Sequence, residues 1–411
     1  MKVLLISDYY PPPSGGISLH VKSLARKLSD TGHEVVVCTT RQQDLPRYEE
    51  ENGVRIHRLG AFFQRIPRLY RDPRRKWHPP AQDRLISRRL SGIIEGESPD
   101  VIHVHGWILY SLPPLKKGGK IPVVHTLHDY RLFCPRMVLL KGNAICSSGP
   151  GKGCLFCMRQ SLGLLRALPA CYGVRAYRDR LKCVDRFVAV SSFVKEAHVR
   201  HLGIDAARIV VIPNFHDPGT STGARSCWDF PGKFILFVGW LMPHKGTDVL
   251  IKAYRKLDTE TKLLVIAKEH PAYHYQGAGS IVIVKNAPHD VVMQAMSTCL
   301  FAVVPSINPD PCPTVALEAM SRRKAVIASE IGGLKDMVVH RRTGILVPPN
   351  DPDRLAEAMA MLLQRPGLAS EMGEKGYERF AKDYSPDAVV PKIVDVYESL
   401  KQPRSRVNCQ P

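Results

Sequence analysis

Twice in succession the sequence alternates short apolar runs with longer amphipathic segments, and this alternation constrains the fold more than any other feature. Residues 2–7, KVLLIS, form an apolar run of a length that suits a buried strand. A loop of prolines and glycines follows, then an amphipathic segment over 17–29, Gly32 as a helix stop, and a second apolar run at 34–39. Parallel strands must be joined by a crossover, and the amphipathic segment supplies one, so the opening reads as a βαβ unit. Apolar runs at 101–104, 122–126, 187–190 and 209–212 continue the pattern, and the stretch 214–223, rich in His, Asp, Pro, Gly, Ser and Thr, reads as a linker. A second series begins at Lys233, with runs at 234–238, 263–267, 281–284, 300–304, 325–328 and 345–347, and helical segments over 353–363, 367–383 and 386–400 follow. A chain of 411 residues also exceeds what one core usually serves. The expected fold class is α/β: two doubly wound parallel-sheet domains facing across a cleft, over 1–213 and 231–385, with a linker at 214–230 and a last helical segment within 386–411.

In open sheets of this kind ligands bind beyond the carboxyl ends of the strands, which is where the loops carrying Gly15, His128, Lys245 and Asp310 fall. No G-x-G-x-x-G fingerprint and no Walker lysine motif is present, which disfavours an NAD enzyme or a P-loop ATPase. Gly15 and Gly16 still let a backbone approach a diphosphate at a helix start, although a plain turn fits them equally. The stretch 304–333 carries the densest chemistry. Prolines 305, 309 and 311 end its strand, Pro313 suits the first helical position, and a helix is expected over 314–323. Asp310 then precedes the helix and Glu318 lies inside it, so two carboxylates can point into one cleft beside free helix N–H groups. Spacing alone leaves open that both are merely solvated.

Charge is unevenly placed. The net charge is +20, of which the first 190 residues hold +16. The densest run spans 65–89, with Arg65, Arg68, Arg71, Arg74, Arg75, Lys76, Arg84, Arg88 and Arg89 interleaved with Tyr70 and Trp77. Such a run suits an anionic membrane surface or a solvated loop, and no nucleic-acid partner is expected because no nucleic-acid-binding signature accompanies it. The start, MKVLLISDYY, meets an acid too early for a signal peptide, and no apolar run reaches the ~18 residues that span a bilayer. A cytoplasmic protein, peripheral on the inner face of the membrane, is therefore the expectation. Eleven cysteines without an export signal argue against a disulfide framework. Cys134, Cys146, Cys154 and Cys157 crowd one insert over 134–157, and that grouping suits either a closed structural zinc site or a set of reduced thiols.

Taken in order, the loops resemble those of retaining glycosyltransferases of family 4, which have the GT-B fold of two Rossmann-like domains. The resemblance rests on P-P-x-x-G-G at 12–16, the pair His128 and Asp129, V-I-P-N at 211–214, the G-x-L…K-G loop at 239–246, the acids Asp310 and Glu318, E-A-M at 318–320, G-G at 332–333, and T-G-x-L-V-P at 343–348. It implies transfer of a sugar from a nucleotide-diphosphate donor such as UDP- or GDP-sugar to a hydroxyl of a lipid-linked or polysaccharide acceptor, with no catalytic metal. His128, Lys245, Asp310 and Glu318 would be catalytic. Gly15, Gly16, Gly239, Lys245, Asp310, Pro313, Thr314 and Glu318 would bind the donor. Glu318 would take the ribose hydroxyls, Asp310 the sugar hydroxyls, and the last helix would cross back onto the acceptor-side first domain.

Three positions depart from the family pattern. Trp240 stands where an arginine is usual, so Lys245 must hold the diphosphate alone or with His244; Asp310 replaces the commoner Glu; and Arg323 stands where a small residue is usual. His103 and His105 read as structural or acceptor-side residues. A non-catalytic nucleotide-sugar or polyanion-binding protein and a GT-B sugar-nucleotide epimerase are the alternatives.

Overall fold

The computed structural model describes residues 1–12, 15–42, 45–66, 70, 78–115, 121–148, 151–220, 230, 232–269, 273 and 275–401. Of the expected basic run, Arg68, Arg71, Arg74, Arg75, Lys76 and Trp77 lie outside the described residues, as do most of the expected linker and the tail beyond Lys401.

The first sheet contains β1 (Lys2–Ser7), β2 (Glu34–Thr40), β3 (Tyr48–Glu51), β4 (Val54–Leu59), β5 (Val101–His105), β6 (Val123–Leu127), β9 (Arg186–Ala189) and β10 (Ile209–Val211). Its order is β10-β9-β6-β5-β1-β2-β4-β3, and every pairing is parallel except β3 with β4. A small hairpin, β7 (Leu140–Lys141) and β8 (Ala144–Ile145), stands apart. The second sheet holds β11 (Phe234–Trp240), β12 (Lys262–Lys268), β13 (Ile281–Lys285), β14 (Ala302–Val304), β15 (Val326–Ser329) and β16 (Gly344–Val347). It runs β13-β12-β11-β14-β15-β16, all parallel. The helices are α1 (Gly16–Asp30), α2 (Arg84–Glu97), α3 (Lys152–Leu162), α4 (Leu164–Ala176), α5 (Ser192–Leu202), α6 (Thr247–Tyr254), α7 (His289–Thr298), α8 (Thr314–Ser321), α9 (Leu334–Met337), α10 (Pro352–Gln364), α11 (Pro366–Asp383) and α12 (Pro386–Lys401).

The pairing of β3 with β4 departs from the sequence reading. Three consecutive acids in YEEE oppose any strand prediction, and β4 interrupts its apolar residues with Arg and His. Tertiary pairing overrides this: Arg58, buried in β4, bonds Glu49 across the pair and reaches the Pro11 carbonyl at 3.0 Å. Pro313 departs as well. It caps α8 in extended conformation, and the helix begins at Thr314.

Period-two burial divides β1 between two layers: Val3 and Leu5 join one core, Leu4 and Ile6 another. The first of these layers is closed by α1, through Val21, Leu24, Ala25 and Leu28, and by α12, through Val389, Ile393, Val396 and Tyr397. Each fully buried side chain of this size contributes about 1.5–3 kcal/mol. The Tyr397 hydroxyl lies 2.6 Å from His103 Nδ1, and His103 Nε2 lies 2.7 Å from Thr126 Oγ1, so α12 is tied to the floor of the first sheet. Across the cleft, the Tyr130 hydroxyl donates to the Pro309 carbonyl at 2.5 Å and Asn214 Nδ2 to the Cys312 carbonyl at 3.3 Å. Ser192 donates to Asp336 through its N–H and its hydroxyl.

Replacing Tyr397 by Phe leaves a buried imidazole nitrogen without its partner. The expected cost is about 1–3 kcal/mol, seen as a lower melting temperature of the purified chain. An unchanged melting temperature would show that α12 is held by apolar contact alone.

Candidate active site

Both sheets end their strands at the cleft, and the starts of α1, α7 and α8 line it without a side-chain cap. Gly15 precedes α1 and Pro313 precedes α8, and neither start receives a capping side chain. A methyl group on Gly16 would lie 4.0 Å from Thr314 Cγ2, so the two helix starts nearly meet. Their uncapped N–H groups leave a positive end on each side of the gap. The cleft has a volume of about 760 Å³, and it is lined by Gly15, Gly16, His128, Gly239, Lys245, Asp310, Pro313, Thr314 and Glu318 together. Every residue expected to bind or act on a donor therefore faces one space, although the residues come from both halves of the chain.

Asp310 and Lys245 are not separate there. Lys245 Nζ donates to Asp310 Oδ1 at 2.6 Å, and Ser306 and Asn308 donate to the same carboxylate. Burial alone would raise the Asp310 carboxyl, but the Lys245 charge and these hydrogen bonds hold it below the usual range. The two residues expected to serve diphosphate and sugar separately thus form one ion pair. The His244 carbonyl accepts from the N–H groups of Ile307 and Asn308, which fixes the β11 loop to the acid loop.

Glu318, also buried, lies 3.3 Å from His289 Nε2 at the start of α7. Burial would raise this carboxyl too, and the His289 bond and charge, with His216 nearby, hold it below the usual value. The same bond raises His289 against the opposing effect of burial. His289 and Lys268 are cleft residues that sequence reasoning missed. Lys268 ends β12 on the ligand-binding edge, and its Nζ sits 6.0 Å from the Trp240 ring centroid. Its signal was available: it is the cation that follows the apolar run of a strand ending at that edge.

His128 sits within a buried group of imidazoles. Its Nε2 lies 2.9 Å from His105 Nδ1, so one ring donates and the other accepts. His20 packs edge-on at 5.1 Å between ring centroids. His105 is thus a partner of His128, not merely a strand residue. Burial pushes the His20 imidazole down to about 4 and holds His103, His105 and His128 well below the ordinary histidine value. The loop after His128 is held by Arg131, a further residue the sequence reading missed. Its guanidinium bonds Asp129 through two nitrogens and Asp8 at 2.7 Å, and Asp8 also accepts from the N–H groups of Trp107 and Ile108. Burial pushes the Asp8 carboxyl up to about 6. Gly106 is required beside it: φ is +104°, and a Cβ would fall 2.2 Å from Asp8 Oδ2.

The sequence of the insert over 134–157 is open to two readings, a closed zinc site or reduced thiols. Cys134, Cys146, Cys154 and Cys157 are free cysteines, and among the described residues no three His, Cys, Asp or Glu side chains group to hold a metal ion. Cys157 Sγ accepts from Arg136 at 3.1 Å, Cys146 donates to the Ser148 carbonyl, and burial pushes the Cys134 thiol up to about 11.

The Glu318–His289 pair makes stability depend on pH. A lowered carboxyl contributes stability above its ordinary value of 4.5 and loses it as pH falls through the lowered value. A raised imidazole contributes below its ordinary value of 6.5 and loses it as pH rises through the raised value. The melting-temperature advantage of the native chain over His289→Ala is therefore largest between pH 4.5 and 6.5. An advantage that grew toward alkaline pH would contradict the pairing.

Comparison with known proteins agrees with this geometry. Residues 14–219 match the model of Glycosyltransferase Family 4, and residues 228–379 match that of Glycosyl transferases group 1. An uncharacterized glycosyltransferase of Methanocaldococcus jannaschii is 29% identical over 417 residues, covering 97% of this chain and 99% of its own. The sucrose-phosphate synthase of Thermosynechococcus elongatus superposes with a TM-score of 0.72 at 21% identity, covering 97% and 99%. The Anabaena protein HepE, solved in complex with UDP-glucose, superposes with a TM-score of 0.65 at 15% identity, covering 97% and 100%. With both halves matched and the two sheets meeting at one lined cleft, the chain belongs to the family 4 glycosyltransferases and has the GT-B fold.

Proposed function

We propose that this glycosyltransferase moves a hexosyl group from a nucleotide-diphosphate sugar to a hydroxyl of a lipid-linked or polysaccharide acceptor, with retention of configuration. The observation that carries the reading is the near-contact of two uncapped helix starts, α1 and α8, in a cleft that also holds Lys245, Asp310 and Glu318. A diphosphate fits between such positive ends. When the sugar C1–O bond breaks, the charge left on the departing phosphate oxygen is met by groups already in place, Lys245 among them. Lys268 supplies the second cation that Trp240 does not, from the neighbouring strand.

Glu318 accepts from the ribose hydroxyls, and His289 keeps it ionised for that task. Asp310, steadied by Lys245, Ser306 and Asn308, takes sugar hydroxyls. His128 Nδ1 is buried and has no hydrogen-bond partner among the described residues, which suits it to a hydroxyl of the bound sugar, while His105 holds the opposite ring nitrogen. Structural neighbours solved with UDP-glucose and with ADP support a nucleotide-diphosphate sugar as the donor.

Thermal shift against UDP, GDP, ADP and their sugar conjugates tests the donor. A ligand that binds only the folded chain raises its melting temperature, and Glu318→Ala is expected to abolish the shift. Lys268→Ala is expected to weaken diphosphate binding about tenfold or more, as loss of one charge-assisted contact does. His105→Ala should leave nucleotide affinity unchanged and lower kcat, by up to about a hundredfold if His128 loses its orientation. No shift with any nucleotide would remove the transfer reading.

A further inference from the structure

The insert that follows Asp129 contains no acid. From Tyr130 through Arg178 there are eight Lys and Arg residues and neither Asp nor Glu. Its two helices, α3 and α4, form a hairpin that carries five of the twelve large apolar side chains exposed among the described residues: Phe156, Leu164, Leu165, Leu168 and Tyr172. Leu165, Leu168 and Tyr172 recur at helical spacing on one face of α4, and Leu165 is 90% exposed and Tyr172 73%. The opposite face is firmly seated. Ala167 and Val174 are buried, and a Cβ on Gly173 would fall 1.7 Å from the Pro80 carbonyl, so backbone meets backbone there. The outward apolar face is therefore presented by a docked helix. Arg175 is exposed one turn beyond Tyr172 on α4, and Arg159 is exposed on α3.

We propose that the α3–α4 hairpin docks this protein on an anionic lipid bilayer, with Leu165, Leu168 and Tyr172 entering the interfacial layer and the arginines meeting lipid headgroups. An apolar face flanked by cations, with no acid to repel the surface, is the chemistry of an interfacial helix. A second copy fits poorly, because a two-fold contact through this hairpin would bring two segments of the same positive charge together. An acidic soluble partner would be met by the arginines but would leave the leucines without a matching layer.

The placement gives the contact a purpose, which rests on the transfer reading above. The hairpin is continuous with the loop that carries His128, and between them Leu140 of β7 packs into the core of the second domain beside Phe237 and Leu241. A bilayer docked on α3–α4 would thus be held by the same stretch of chain that follows the His128 loop, which suits an acceptor with a lipid tail.

Flotation of the purified full chain with vesicles of phosphatidylcholine, with and without phosphatidylglycerol, tests the proposal. Binding is expected to the anionic vesicles, weakened about tenfold or more by Leu165→Ser combined with Tyr172→Ser, and lost from them with Arg159→Glu combined with Arg175→Glu. These side chains are exposed, so the variants should fold. No flotation of the native chain, or flotation unchanged by both variants, would overturn the proposal. A native dimer that Leu165→Ser converts to monomer, with no lipid binding, would overturn it in favour of self-association. The nucleotide-induced thermal shift is read in parallel; its absence from the native chain would count against the donor site and not against lipid docking.

Discussion

Parallel pairing is the constraint on which the rest of this molecule depends. A parallel strand must return by a crossover, so each sheet ends its parallel strands on one edge and begins many of its helices there. That edge collects helix N-termini, whose first N–H groups have no partner inside the helix. In α2, α5 and α10 a side chain takes them: Asp83, Ser191 and Asp351 cap the three starts. At α1, α7 and α8, all at the cleft, none does, and the starts of α1 and α8 approach each other across it. The positive ends are left for a ligand where the two sheets meet.

Around this gap, charges are never buried alone. Asp310 has Lys245, Glu318 has His289, and Asp8 shares Arg131 with Asp129. Removing one member of such a pair leaves the other as a buried charge, which costs more than the pair's own attraction contributes. The imidazoles follow the opposite rule. His20, His103, His105 and His128 stay neutral because burial penalises the proton and no carboxylate stands among them. A neutral ring has one donor and one acceptor nitrogen, so the His105–His128 bond also sets which tautomer His128 presents to the cleft.

The two halves carry different physical tasks. The second sheet brings the carboxylates and lysines that suit a phosphorylated sugar, while the first brings the imidazoles and, through its acid-free insert, the cationic apolar hairpin. They are joined by few polar contacts, among them Tyr130 to Pro309 and Ser192 to Asp336, and by an apolar cluster that runs from Leu4 to Phe380.

What the sequence determined by itself was the order of twelve parallel strands and the places of α1, α8, α10, α11 and α12, because apolar period and proline or glycine stops are local signals. Gly15, Gly16, Lys245, His128 and Asp310 were also legible, because each sits in a loop at a strand end or at the helix start that follows it, and Glu318 because it lies in the helix that Pro313 announces. Tertiary structure alone decided the rest. The acid-rich β3 is a strand because it pairs along four residues with β4, whose Arg58 also meets Glu49. Arg131 and His289 acquire their roles from partners far away in the chain, 123 residues for Asp8 and 29 for Glu318. The cysteines of the insert are free thiols, and Cys157 accepts from Arg136 while Cys146 donates to the Ser148 carbonyl. The physical reason is the same throughout: local pattern sets which elements form, whereas pairing energy between buried polar groups depends on distances that exist only once the elements have packed.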